Sequence, residues 1–288
     1  MFRNVSELVE QASNSNKKLY ELMIEQEIEL TGKSKEEIIS RMLTQFHVMK
    51  EAAAKGMKGV VSHSGMTGRD GKKIREYLDK GNYLTDKTTL KAACYAVSIN
   101  EVNASMGLIC ATPTAGSSGV LPAVLLAVGE KLNLDDETIA LHLFTAGAFG
   151  FVIANNAFIS GAAGGCQAEI GSASAMAAAA AVEMAGGTPF QAAHAMAMAL
   201  KNMLGLTCDP LAGLVEVPCI KRNAAGAVNA ISSAELALAG VESKVPWDEV
   251  ISAMYNIGLA IPVTLRETSV AGLAATETGK RWKETLLK

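Results

Sequence analysis

The chain has 288 residues and a formal net charge of −3, with 26 Lys and Arg against 29 Asp and Glu. That balance, with no Lys/Arg cluster, excludes an electrostatic grip on nucleic acid. Hydrophobic residues make up 49% but aromatics only 5%, so the core volume comes from Ala, Leu, Val, Ile and Met, which lets helices pack closely.

The N-terminal stretch "MFRNVSELVEQASNSNKKLYELM" has no apolar h-region and no small-residue cleavage site, so it does not read as a signal peptide. Over residues 6–30, Leu8, Val9, Leu19, Leu22, Met23 and Ile28 recur among charges, which predicts one or two amphipathic helices. Ser34 with Glu37 forms the pattern of a capping box opening a helix to about Lys55. A glycine-rich break over 56–73 follows, then a short helix, then a helix from about Lys87 to Ala104. "TPTAGSSG" (112–119) interrupts, and "VLPAVLLAVGEKL" resumes. "LDDETIALHLFTAGAFGFVIANN" opens on acidic residues that suit a helix N-terminus. "IGSASAMAAAAAVEMAGG" combines strong alanine propensity with a Gly186-Gly187 stop. Thr188 and Gln191 form a second capping box, with Pro189 in the first turn of a helix to about Leu204. "RNAAGAVNAISSAELALAG" and "VPWDEVISAMYNIGLAI" are two more helices. No alternating strand pattern exceeds four residues. The expected fold is all-α, a helical bundle with glycine-rich loops carrying the active site. The shift near residue 90 from charged to small apolar residues suggests one domain over 1–288, with an outer helical arm (1–85) around an inner bundle (86–288).

From Thr138 to Ala168 no charged residue occurs over 31 positions, long enough to span a bilayer. The run holds His142, Asn155, Asn156, Gln167 and five glycines, without an aromatic belt or basic flank. A buried helix ending in an active-site loop is the better reading, so no membrane partner is expected.

Five cysteines stand at 94, 110, 166, 208 and 219. An odd, widely spaced set without an export signal argues for reduced thiols or metal ligands rather than disulfides. Cys94 falls mid-helix among Ala and Val, and Cys110 in "GLICAT"; both read as core. Cys166 follows a small-residue turn and precedes the alanine-rich helix, whose N-terminus favours a thiolate. Cys208 and Cys219 bracket "DPLAGLVEVP", a proline-set loop. Separations of 42 and 11 residues match none of the common zinc spacings, so core packing and metal ligation both remain open on the residues alone.

"SGAAGGCQAEIGSASAMAAAA", "NMLGLTCDPLAGLVEVPCIKRNA", "ATPTAGSSGVLPAVLLAV" and the closing "LRETSVAGLAAT" resemble, in the expected order, the alpha chain of iron–sulfur-dependent L-serine dehydratases. The resemblance covers nearly the whole chain. It implies that Cys166, Cys208 and Cys219 hold a [4Fe–4S] cluster whose fourth iron lacks a thiolate and is free to act as a Lewis acid on the hydroxyl of L-serine. The implied reaction is a β-elimination without pyridoxal phosphate that ends in pyruvate and ammonia.

The resemblance also points to a loop of SG-TG type in "SHSGMTG", with Ser64, Thr67 and Gly68 touching substrate; His63, the most exposed-looking of the four histidines, is the catalytic base candidate on that loop. "TPTAGSSG" offers Thr114, Gly116, Ser117 and Ser118 to a carboxylate, or simply caps a helix. Asn156, Asn223 and Arg266 complete the substrate set; Asn223 and Arg266 either bind a carboxylate or brace a loop. Many relatives are single chains with an extra N-terminal domain. Here the alpha-type elements fill the chain, so the partner expected is a separate beta chain in a cytoplasmic hetero-oligomer. Rival readings are a related lyase releasing sulfide from L-cysteine, and a non-catalytic iron–sulfur or zinc sensor.

Overall fold

The computed structural model describes residues 1–286. Among them are thirteen α-helices: α1 (Val5–Ser15), α2 (Leu19–Thr31), α3 (Lys35–Lys58), α4 (Asp70–Asp79), α5 (Lys87–Ala104), α6 (Val120–Leu132), α7 (Asp136–Asn156), α8 (Gly161–Gly164), α9 (Ser172–Met184), α10 (Pro189–Lys201), α11 (Cys219–Leu238), α12 (Trp247–Ala260) and α13 (Glu277–Leu286). Among the described residues there is no strand, only isolated bridges between Val61 and Gly68 and between Cys208 and Arg266. The all-α expectation holds.

Local capping decides most helix starts. Asn4, Ser34, Asp86 and Asp135 each accept a backbone N–H in the first turn, and Thr188 with Gln191 makes both bonds of its box. At Ser34 only the forward bond forms; the Glu37 carboxylate pairs with Lys33 instead. The α10 helix ends at Lys201, short of the expected Leu204.

The centre is α9. All of its residues are buried, as a helix without a polar face must be. Its alanines let α6, α7, α10 and α11 come close on every side. One acid lies in this apolar helix, Glu183. It accepts from the Leu19 N–H at 2.5 Å, from Thr145, and faces His142 Nδ1 at 3.3 Å. These bonds pin α2 and α7 to the core and give His142 a structural partner. The α7 helix is long and apolar enough to cross a membrane, yet 61% of its most apolar window is buried against the rest of the chain.

The residues before 86 form α1 to α4, which lie against α10, α7 and α5. Contact with α5 is at backbone distance: a Cβ added to Gly56 would sit 2.1 Å from the Ser98 carbonyl oxygen. Glu101, buried on α5, accepts the first N–H groups of α4 from Asp70 and Gly71 at 2.8 and 3.1 Å.

Three helices begin at one end of this bundle. Asn223 in the first turn of α11 bonds to Gly116 and Gly119, just ahead of α6. Thr114 reaches Glu169, just ahead of α9. Asn100, near the C-terminal end of α5, donates to the Ala115 carbonyl. The three N-terminal ends share one neighbourhood, where their dipoles favour negative charge.

Candidate active site

The three cysteines of the resemblance meet at that end. Cys166 enters through Gly165, whose φ of +78° suits glycine, and whose added Cβ would lie 2.9 Å from the Leu206 carbonyl oxygen. After Cys166 the chain makes a π-helical turn, Gln167–Gly171, before α9. Gln167 is fully buried and satisfied. Its amide takes the Gly205 N–H at 2.9 Å and donates to the Gly164 and Met254 carbonyls at 3.0 Å each. That residue pins the Cys166 turn to the strand of chain leading to Cys208.

Cys208 is fixed by backbone bonds on both sides, its N–H to Leu265 at 2.8 Å and its carbonyl from Glu267 at 2.7 Å. Cys219 opens α11. The loops carry two cis prolyl bonds, Thr112–Pro113 and Val217–Pro218. All three thiols are buried, none more than 8% exposed.

Burial pushes Cys166 and Cys219 up to about 12, and it raises Cys208 as well. Neighbouring charge adds to this: Cys166, Glu169, Glu267 and Cys219 all bear on Cys208, and Cys166 and Glu169 on Cys219. Arg222 beside Cys166 partly offsets the effect. The expected thiolate at Cys166 is therefore corrected: desolvation outweighs the helix N-terminus, and the free thiols stay protonated. Any metal that binds must displace those protons.

The donor set fits a cluster in chemistry. Three soft sulfurs from separate segments lie buried and within electrostatic reach of one another, with one guanidinium to balance charge. Among the described residues, no group of three or more His, Cys, Asp or Glu side chains is close enough to hold a single metal ion.

These raised values make stability depend on pH in a defined direction. Cys94, also buried, is pushed up to about 11. Below the unfolded thiol value of about 8.5, all four are protonated whether the chain is folded or not. Above it the unfolded chain releases protons that the native chain holds. Stability then falls with rising pH, by about 1.4 kcal/mol per pH unit for each thiol, until the folded values are passed. Urea unfolding of the iron-free chain at about pH 8 and about pH 10 is expected to show the midpoint dropping sharply. An unchanged midpoint would contradict the burial of these protons.

Two charged neighbours of the thiols escaped the sequence reading. Glu169 lies in the π turn. It accepts from Thr114 Oγ1 at 2.7 Å, and burial raises its carboxyl above the usual range. A Cβ added to Gly161 would meet both Cys208 Sγ at 2.7 Å and Glu169 Oε2 at 2.9 Å, so bare backbone is required between them. Arg222 donates to the Thr207 carbonyl at 2.7 Å and to Asp209 at 3.0 Å, which aims its guanidinium back at the Cys166 side. Each charge sits three residues after a cysteine, on the same side of a helical turn; that spacing was the available signal.

The residues assigned to substrate divide. In 112–119, Ser117 and Ser118 are fully buried, and Ser117 closes a box with Thr114. Gly116 faces the Glu169 carboxylate, which would lie 3.3 Å from an added Cβ. Asn223 is buried with every polar atom used, taking the Gly119 N–H at 2.9 Å and donating to the Gly116 and Cys219 carbonyls at 2.7 and 2.9 Å; it braces the loop. Arg266 adjoins Cys208, donates to the Ala163 carbonyl at 3.2 Å, and keeps a buried Nε without a partner. Asn156 instead holds the N-terminal segment, donating to the Arg3 carbonyl at 3.0 Å. In 62–68, His63 is exposed, while Ser64 and Thr67 turn toward Glu216. Gly68 lies so close to Val60 and Val61 that a Cβ would meet both at 2.7 Å.

The sequence comparisons bear on the whole of this arrangement. The description "serine dehydratase alpha chain" matches residues 14–274. The chain belongs to that family. It is 58% identical to the probable L-serine dehydratase alpha chain of Bacillus subtilis (strain 168), over 99% of this chain and 95% of that one. With the L-serine dehydratase alpha chain of Peptoniphilus asaccharolyticus it shares 46% identity, over 100% and 99%. Against the L-serine dehydratase TdcG of Escherichia coli (strain K12) identity is 37%, over 95% of this chain but only 61% of that enzyme. These two alpha chains are thus matched over nearly all of their length, and the longer relative carries a further portion of sequence that this chain does not match.

Proposed function

We propose that this chain is the cluster-bearing subunit of a cytoplasmic L-serine dehydratase, a lyase that converts L-serine to pyruvate and ammonia together with a separate beta chain. The observation that carries the reading is the meeting of Cys166, Cys208 and Cys219, three buried thiols from separate segments, in a chain of the serine dehydratase alpha family. When bound there, a [4Fe–4S] cluster supplies a Lewis acid for the departing hydroxyl at the iron that no thiolate holds.

The chain's own groups provide the surroundings. Its three helix N-termini and Arg222 favour the negative charge that three thiolates bring. Arg266, with an unused N–H beside Cys208, can bind the substrate carboxylate. Burial keeps water from competing for the site. Loss of the α-proton and the β-hydroxyl leaves aminoacrylate, which tautomerises and hydrolyses in water to pyruvate and ammonia. On this chain His63, exposed on the 62–68 loop, is the candidate acceptor of that proton, and full turnover is expected to need the base that the beta chain brings.

The test is anaerobic reconstitution with ferrous iron and sulfide, followed by assay on L-serine with the beta chain present. A brown protein that forms pyruvate, bleaches in air with loss of activity, and regains part of it with ferrous iron and a thiol is expected. A colourless chain, or one unaffected by prolonged air, would overturn the cluster. Sulfide release from L-cysteine at a higher kcat/KM than pyruvate formation would move the substrate assignment to cysteine.

A further inference from the structure

Glu216 lies between Cys208 and Cys219 and is only 4% exposed. A buried carboxylate needs compensation, and among the described residues it forms no ion pair. Its two oxygens are taken by two hydroxyls from the 62–68 loop: Ser64 Oγ donates at 2.8 Å and Thr67 Oγ1 at 2.8 Å. Hydrogen bonds to an ionised acceptor are the stronger kind.

Both ends of this link are built in. On the loop side, Ser64 Oγ takes the Met66 N–H at 3.0 Å, Ser62 Oγ takes the Thr67 N–H at 3.2 Å, and the Ser62 N–H reaches the Thr67 carbonyl at 2.9 Å. On the thiol side, the Glu216 carbonyl accepts the Ile220 N–H at 3.0 Å and so helps start α11, whose first residue is Cys219. A single residue thereby connects the shape of the glycine loop to the seat of a thiol.

We propose that Glu216 is a positioning residue that ties the 62–68 loop to the thiol-bearing segment, so that filling the thiol site orders the loop and an ordered loop retains the filling. This rests on the cluster reading above. Two segments joined by a buried charge bias one another equally in both directions. The Ser64 and Thr67 protons are committed to Glu216, so their part in substrate handling is to shape the loop that presents His63.

The test uses hydrogen exchange of the loop amides and iron loss to a chelator, in the full chain with and without reconstituted cluster. Variants are Glu216→Gln, which keeps shape but lacks the charge, and the pair Ser64→Ala with Thr67→Val, which removes the two hydroxyls that reach Glu216 but changes no residue of the thiol segment. In the native chain, filling is expected to slow exchange at 62–68 by about tenfold, and either variant to remove that slowing while the α9 amides stay protected. Both variants are expected to lose iron about tenfold faster, and combining them to add little more. Iron retention equal to the native chain in the Ser64/Thr67 pair, or slowing that persists in Glu216→Gln, overturns the proposal. A native chain that takes up no iron sinks the cluster reading and with it the coupling to filling. The tie itself is then still read in the iron-free chain, where Glu216→Gln exchanging its loop amides no faster than native refutes it.

Discussion

Cys208→Ala is expected to yield a chain that folds, takes up little iron and supports no pyruvate formation, and Cys166→Ala and Cys219→Ala should do the same. Each thiol is buried beside the other two, so removing one leaves the remaining pair without the geometry to hold a multinuclear group. Compensation from Cys94 or Cys110 is not available in this fold. Cys94 lies inside α5 with its Sγ against the Gly71 carbonyl, and Cys110 packs beside Gln45. Alanine at 94 or 110 should therefore keep the iron, with a stability cost of about 1–2 kcal/mol for the buried Cys94. Iron content and visible absorbance after anaerobic reconstitution read this directly. Loss of iron in Cys110→Ala as complete as in Cys208→Ala would mean that the ligand assignment is wrong.

The second large effect concerns the partner. An elimination needs a base within hydrogen-bond reach of the α-proton. In this chain the candidates are sparse: His142 is paired with Glu183 in the core, His194 accepts the Ser243 N–H, and His47 lies toward Asp136 on α3. Only His63 combines exposure with a place on a loop linked to the thiol segment. Apolar side chains stand exposed near the same loops, among them Val61, Met106 and Leu108. The isolated, fully reconstituted chain is expected to turn over L-serine at least about 100-fold more slowly than with a separate beta chain, the size of a missing acid–base contribution. Pyruvate formation by the chain alone at the rate of the mixture would refute the two-subunit site and leave His63 as the sole base.

Helix positions were legible wherever bonds within a few residues decide them. Asp86 sets the start of α5 and the Thr188 box that of α10, and both could be read from sequence spacing. The π turn was not legible, because Gln167 forms it by reaching Gly205 and Met254, remote in sequence. The α13 helix was missed because its ten residues are mostly charged or polar and only Trp282 and Leu286 are large and apolar, too few to stand out as a stripe. At the site, spacing alone left the cysteines ambiguous, and the resemblance singled out three of them. Glu169, Arg222 and Glu216 were passed over as ordinary charges, since their meaning lies in what folds against them. The protonation state of Cys166 was misjudged because a helix N-terminus is visible in sequence whereas its burial is not.

The alanine-filled α9 has a consequence for how this protein can vary. Alanine has no rotamers, so burying it freezes no side-chain freedom. The floor beneath Glu169 and Cys166 is therefore set by contacts of nearly bare backbones, with few alternative packings to exchange. An added methylene there has no cavity to occupy and no torsion to relieve it. Replacements compatible with the chemistry are therefore expected in the exposed loops and helix faces, and few are expected to be tolerated along the central helix.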